Sequence, residues 1–195
     1  MHTPQTIIFI GPQGSGKGTQ VERLLAAGEA VAHPQLLIET GRLFRELSAL
    51  DTEAAQHIKA ALGTGELLPD VVTNTLVVQQ VLRQLTADMR LLFDGYPRNQ
   101  AQAATLLQLL DFFGRTTVDV IHIRLSDVVA TQRLLERGRV DDTPAVIETR
   151  LATYHAHTEP LLAWYEEQSN VTVHTLDGDT EIDALHEQIT AVLGV

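Results

Sequence analysis

The chain has 195 residues, 44% hydrophobic and 20% charged, a composition that excludes disordered and fibrous architectures and suits one domain with insertions. Its 14 basic and 25 acidic residues give a net charge of −11, which argues against a nucleic-acid or membrane-surface partner. The absence of cysteine excludes disulfides, thiol nucleophiles and cysteine-based zinc sites, and a reducing compartment is expected.

Met1-His2-Thr3-Pro4-Gln5 carries no basic region, and the apolar run after it is too short for a signal sequence. No stretch approaches the roughly 20 apolar residues that span a bilayer, so a cytoplasmic protein is expected. Ile7-Ile8-Phe9-Ile10 reads as a strand buried on both faces of a parallel sheet. A glycine-rich loop, Gly11 to Thr19, follows it and opens a helix. Leu36-Leu37-Ile38 is a second strand, and residues 40–72 read as helical, with breaks at Gly63 and Gly65. Leu91-Leu92-Phe93, Val118 to Ile123 and Val171-Thr172-Val173 complete the strands. Helical periodicity lies between them, as in Ala101-Thr105-Leu106-Leu109 and Val128-Leu134-Leu135. Thr143-Pro144 predicts a capped helix start, and Thr180 with Asp183 has the spacing of a capping box. Strands alternating with helices at this spacing predict an α/β protein with a central parallel sheet covered on both faces.

Gly11-Pro12-Gln13-Gly14-Ser15-Gly16-Lys17-Gly18-Thr19 fits G-x-x-x-x-G-K between a strand and a helix. Glycines let backbone N–H groups converge on a phosphate, the helix N-terminus adds a favourable dipole, and Lys17 adds a point charge. A glycine-rich turn that binds nothing leaves the lysine at that spacing unexplained. The generic motif places Ser or Thr directly after the lysine, whereas here Gly18 intervenes before Thr19. A phosphate loop does not name a reaction. None of Asn74, Asn99 and Asn170 is followed by lysine, so an Asn-Lys-x-Asp guanine reader is absent from the sequence.

With its second glycine and the following glutamine, Gly14-Ser15-Gly16-Lys17-Gly18-Thr19-Gln20 resembles the loop of the adenylate kinase family. The resemblance continues in order along nearly the whole chain. Thr40-Gly41-Arg42-Leu43-Phe44-Arg45 resembles the family's Thr-Gly-Asp-x-x-Arg segment, and Gly65-Glu66-Leu67-Leu68-Pro69-Asp70 resembles the lining of its AMP base pocket. Asp94-Gly95-Tyr96-Pro97-Arg98 resembles Asp-Gly-Phe-Pro-Arg, with Gln102 four residues on, where the family reads adenine. Arg133 to Asp142 resembles the short-lid region, Arg150 falls in the next helix, and Gly178 resembles a late loop near the ATP base. Arg42 in place of aspartate and Tyr96 in place of phenylalanine are departures. Only Gly138 and Arg139 separate Arg137 from Val140, which leaves no room for a zinc-binding lid.

The resemblance implies a phosphate-loop sheet domain with core 1–39, 73–136 and 144–195, an AMP-binding insertion 40–72 and a short lid 137–143. It implies reversible transfer from ATP to AMP, giving two ADP, with Mg2+ bridging the ATP phosphates. ATP would meet Gly14, Ser15, Gly16, Lys17, Gly18, Thr19, Arg133, Arg137 and Gly178. AMP would meet Thr40, Arg45, Glu66, Leu67, Leu68, Gly95, Arg98, Gln102, Arg139 and Arg150. Lys17, Arg98, Arg137, Arg139 and Arg150 are the expected catalytic residues, and Asp94 is expected to orient the magnesium's waters. The chemistry suits those types, because the accepting phosphate oxygen is already ionised and the task is holding two polyanions in line. Twelve of the 14 basic residues are arginines, which make paired, charge-assisted bonds and keep their protons.

Arg23, Arg83, Arg90, Arg115 and Arg124 are expected as solvated helix-face charges, the eight histidines as structural or solvent-facing, and Trp164 and Tyr165 as packing. Two other readings stand beside this one: a UMP/CMP-type kinase, disfavoured by Thr40 and Gln102, and an inactive nucleotide-binding regulator, favoured only by Arg42. A monomer is expected.

Overall fold

The computed structural model describes residues 4–30, 32–139 and 142–195. Met1 to Thr3 of the N-terminal segment and Val140 and Asp141 of the expected lid lie outside the described residues. Among the described residues, five strands form one parallel sheet in the order β2-β3-β1-β4-β5. The strands are β1 (Thr6–Ile10), β2 (Gln35–Glu39), β3 (Arg90–Asp94), β4 (Val118–Arg124) and β5 (Val171–Asp177). Each apolar run of the sequence lies in a strand; β1 is buried along its whole length and β3 along all but its last residue, while β2 and β5 are only partly covered.

Alternation sorts the strand side chains. Ile8 and Ile10 turn to the face covered by α4 (Asp70–Gln84), α5 (Gln100–Phe112) and α8 (Leu161–Glu166). Ile7 and Phe9 turn to the face covered by α1 (Lys17–Ala30) and α9 (Ile182–Leu193). A third cluster, built on Leu125, Ala130, Leu134, Ile147 and Leu151, joins α6 (Asp127–Arg137) to α7 (Pro144–Thr153). A π-helical turn (Tyr154–Thr158) continues α7, with the Glu159 N–H donating to the Tyr154 carbonyl. Because β1 sits between β3 and β4, the chain first runs to one side of β1 and later to the other. That switch point opens a crevice at the carboxyl ends of the strands, above β1.

Residues 40–72 contain α2 (Thr40–Ser48), α3 (Glu53–Thr64) and the start of α4. The first break falls at residues 49–52, where Thr52 caps α3, and Gly63 lies inside α3; the second falls after Gly65, whose left-handed φ of 80° ends that helix. Thr143 caps α7 by accepting from the Val146 N–H, with Pro144 in the first turn. The last helix departs from expectation. Its cap is Glu181, without a side-chain bond, so Thr180 and Asp183 form no capping box; Asp183 instead pairs with Arg23 at 2.6 Å. The expected face of α6 is also corrected: Val128 is 79% exposed, and Ala130 and Leu134 supply the buried stripe. Among the described residues no helix is long and apolar enough to cross a membrane.

Two of the arginines expected in solvent are buried. Arg90 opens β3 at the amino end of the sheet, in register with Gln35, and Arg115 follows α5 with 4% exposure. The Arg115 guanidinium donates to the carbonyls of Met89 (2.7 Å), Pro4 (3.4 Å) and Thr86 (3.5 Å), closing the amino end of the sheet. Burial pulls the pKa of both guanidiniums down from the usual arginine range. Arg115→Ala strips these buried carbonyls of their donor and is expected to cost about 2 kcal/mol in urea unfolding, with nucleotide KM values unchanged. A solvated arginine would cost less than about 0.5 kcal/mol.

Candidate active site

The phosphate loop is shaped by what surrounds it. Gly14 has φ +87°, and a Cβ there would lie 2.8 Å from the Ala130 carbonyl oxygen, so the loop packs directly on α6. A Cβ on Gly178, beyond β5, would meet Ile123 Cγ2 at 2.7 Å and the Ser15 carbonyl at 3.3 Å, which seats that loop against the phosphate loop. The Lys17 ammonium donates to the carbonyls of Gly11 (2.7 Å) and Pro12 (2.8 Å) and lies 3.3 Å from the Ser15 hydroxyl. Burial pushes the Lys17 pKa down to about 8, Asp94 works against that shift, and Arg98 and Arg137 add to it. Gly16, Gly18 and Thr19 line the same cleft, and a Cβ on Gly18 would lie 3.9 Å from the Asp94 carboxylate.

The loop after β3 supplies the next layer. The Gly95 carbonyl accepts from Thr40 Oγ1 and from Arg98 Nε, both at 2.8 Å. The Tyr96-Pro97 peptide is cis, and the Tyr96 hydroxyl donates to Asn74 (2.8 Å) and lies 3.1 Å from the Gln102 carbonyl. Tyr96 thus ties the loop to both α4 and α5. Burial pulls the Arg98 pKa down, Asp94 raises it and Arg150 lowers it further. Across the cleft, Arg45 pairs with Glu39 at 3.0 Å, and Arg42 bonds Glu46 at 3.0 Å on the solvent side of α2.

The side formed by α6 and α7 is held by one carboxylate. Asp142 is fully buried at its side chain and receives Arg137 Nε (2.9 Å) and Nη2 (2.8 Å) as a fork, plus Arg150 Nη1 (3.0 Å). Arg133 donates to the Gly178 carbonyl at 2.9 Å. Gly65 packs so closely on α7 that a Cβ there would lie 3.1 Å from Arg150 Cγ, so the insertion and the lid-side helix meet over the cleft. The π-helical turn adds Tyr154 and Thr158 to the wall, and the Thr158 hydroxyl donates to the Arg98 carbonyl at 2.9 Å. Behind it, buried His122 bonds the Tyr154 hydroxyl at 3.2 Å.

Together these groups enclose a cleft of about 460 Å³. Its lining brings together Lys17, Arg45, Arg98, Arg133, Arg137, Arg139 and Arg150, with Glu66, Leu67, Gly95 and Asp94. Thr40 stands behind that lining, 1% exposed; Leu68 and Gly178 are also outside it. Gln102 lies outside it as well, 1% exposed, with its amide engaged by Asp70 and by the Arg98 N–H. Sequence reasoning missed Glu39, Thr158 and Asp70 as partners of these residues. Glu39 carries one visible signal, a carboxylate at the end of an apolar strand, as Asp94 does. Thr158 carries none.

A parallel sheet with a phosphate loop at its switch point, a helical insertion and an arginine-rich cover defines the phosphate-loop nucleotide kinases as a class. The adenylate kinase family matches residues 9–170. The chain is 35% identical over 189 residues to an adenylate kinase of Leuconostoc mesenteroides, covering 97% of each chain. It is 38% identical over 179 residues to adenylate kinase 1 of a Synechocystis species, covering 92% of this chain and 91% of the relative. An adenylate kinase of Mycobacterium leprae is 36% identical over 188 residues, covering 96% and 98%. The chain belongs to the adenylate kinase family, and it is a nucleoside monophosphate kinase.

Asp142 carries the lid-side prediction. Asp142→Ala leaves Arg137 and Arg150 without their shared partner, and unfolding stability is expected to fall by about 2 kcal/mol, together with kcat. Unchanged stability and turnover would show that the fork does not organise the site.

Proposed function

We propose that the protein catalyses reversible, Mg2+-dependent phosphoryl transfer from ATP to AMP, giving two ADP. The observation that carries this is electrostatic: seven of the 14 basic residues line one cleft of a chain with net charge −11. Four acidic residues, Glu22, Glu39, Glu66 and Asp94, share that lining. Such a concentration of guanidinium groups suits two phosphate chains brought end to end. Nothing in the relatives favours a pyrimidine acceptor or an inactive regulator; those compared are all adenylate kinases.

In this reading ATP phosphates lie on the loop from Gly14 to Thr19, where backbone N–H groups and Lys17 meet them. Arg133 and Gly178 flank the ATP base. Thr40, Arg45, Glu66, Leu67, Leu68, Gly95, Arg98 and Gln102 form the AMP site, and Arg45 exchanges Glu39 for the AMP phosphate. Arg137, Arg139 and Arg150 close on the transferring group. No general base is required, since the attacking oxygen is an ionised phosphate; the residues position, neutralise and exclude water. Residues 40–72 serve as the AMP-binding insertion and 137–143 as the lid.

Among the described residues no cluster of three or more metal-ligating side chains occurs. Asp94, beside Lys17 and α1, is the carboxylate that would hold an ion carried by phosphate oxygens and water. Mg2+ supplies charge neutralisation across the ATP phosphates when bound. A cytoplasmic monomer acting on ATP, AMP and ADP completes the proposal.

Two experiments test it. Lys17→Met is expected to lower kcat for ADP formation from ATP and AMP by at least about a hundredfold while the circular dichroism spectrum stays native. The Lys17 pKa of about 8 sets a pH dependence. Below it the loop is charged and ready; above it, binding of ATP must take up a proton. The ATP dissociation constant is therefore expected to rise by up to about tenfold per pH unit above pH 8. The rise should vanish in Lys17→Arg, whose guanidinium keeps its proton. A flat wild-type profile to pH 10 would remove Lys17 from the phosphate site.

A further inference from the structure

The amide of Gln102 is held by two partners that demand opposite things of it. Its Nε2 donates to Asp70 Oδ1 at 2.7 Å, and its Oε1 accepts from the Arg98 backbone N–H at 2.8 Å. A backbone N–H only donates and a carboxylate only accepts, so the oxygen and nitrogen of this amide have one arrangement, fixed by chemistry. Asp70 Oδ1 also accepts from Asn99 Nδ2 at 2.8 Å, while Asn99 Oδ1 accepts from the Gln102 N–H at 2.9 Å and so caps α5. Asp70 stands in the first turn of α4, so the carboxylate that orients Gln102 comes from a different element, 32 residues away in sequence. With 1% exposure, Gln102 has little water to replace a lost partner.

A glutamine amide offers two N–H groups and two lone pairs. With Asp70 and the Arg98 N–H each taking one, a single N–H and a single lone pair remain. That pair matches the six-membered edge of adenine, which presents N1 as acceptor and the 6-amino group as donor. Hypoxanthine and guanine present the reverse, an N1–H donor and a 6-oxo acceptor. Reading them calls for the amide rotated by half a turn, which would set its oxygen against the Asp70 carboxylate and its NH2 against the Arg98 N–H.

We propose that Asp70 is a specificity-determining residue, which makes the enzyme choose a 6-amino over a 6-oxo purine monophosphate by locking the orientation of the Gln102 amide. The proposal rests on Gln102 as the base reader, the role assigned above. Asp70 acts through Gln102 and takes no part in the phosphoryl transfer. Its own hydrogen bonds run to Gln102 and Asn99, so its effect is expected on the acceptor base.

The test compares kcat/KM for AMP and for IMP at saturating Mg-ATP in the wild type, Asp70→Ala and Asp70→Asn. Asp70→Asn keeps the side-chain shape and serves if Asp70→Ala does not fold. In Asp70→Ala the amide keeps only the Arg98 N–H of its two holds, so turning it becomes less costly and the AMP-over-IMP ratio is expected to fall at least about tenfold, with IMP use rising in absolute terms. Asp70→Asn, which weakens the lock by removing its charge, should narrow the ratio less. The KM for ATP should not change in either variant. A parallel loss on AMP and IMP, with the ratio preserved, would make Asp70 merely structural and overturn the proposal. A wild-type enzyme indifferent between AMP and IMP would remove Gln102 as base reader, and this inference with it.

Discussion

Cationic side chains gathered around one cleft repel one another, and much of the surrounding structure answers that repulsion. Six of the seven are seen with a local counterpart. Lys17 is held by carbonyls of its own loop, Arg45 by Glu39, Arg133 by the Gly178 carbonyl, and Arg137 with Arg150 by the buried Asp142. Asp94 stabilises the charge on both Lys17 and Arg98. These contacts keep the donors in place in the absence of a polyanion. Those half-exposed, such as Arg45 with Glu39, are weak enough to exchange for a phosphate. The fork on Asp142 differs, because its carboxylate is fully buried and pre-orients two arginines together.

Delivery of these groups to one place follows from the sheet. All the strands run in parallel, so Glu39, Asp94 and the phosphate loop emerge at the same edge, and register pairs Glu39 directly with Asp94. The two hydrophobic layers on either face make that edge rigid. The lid-side helices are fastened separately, through the small cluster of Leu134, Ile147 and Leu151, which leaves them the less deeply anchored part of the site. A kinase that must exclude water from the transferring group needs that division between a fixed floor and a lighter cover.

Much of this was legible in the sequence. Apolar runs marked the strands because a parallel sheet buries both faces, and the phosphate loop announced itself by lysine spacing between a strand and a helix. What the sequence hid was pairing at long range. Arg115 reads as a solvated helix-face charge, yet carbonyls from two distant segments, Pro4 and the loop carrying Thr86 and Met89, accept from its guanidinium. Val128 has helical spacing from its apolar neighbours, but α6 turns Ala130 inward instead, its backbone packed against Gly14 of the phosphate loop. Gln102 was legible as a candidate, whereas Asp70, which orients it, belongs to another helix and shows no spacing to find.

The most direct test of the account is ADP formation from Mg-ATP with AMP, UMP, CMP, GMP or no acceptor, measured in parallel on the wild-type protein. Clear preference for AMP is the predicted result. It would join the arginine-lined cleft to the base-reading role of Thr40 and Gln102 in one reaction. Preference for a pyrimidine acceptor, or no turnover with ATP still bound, would contradict it.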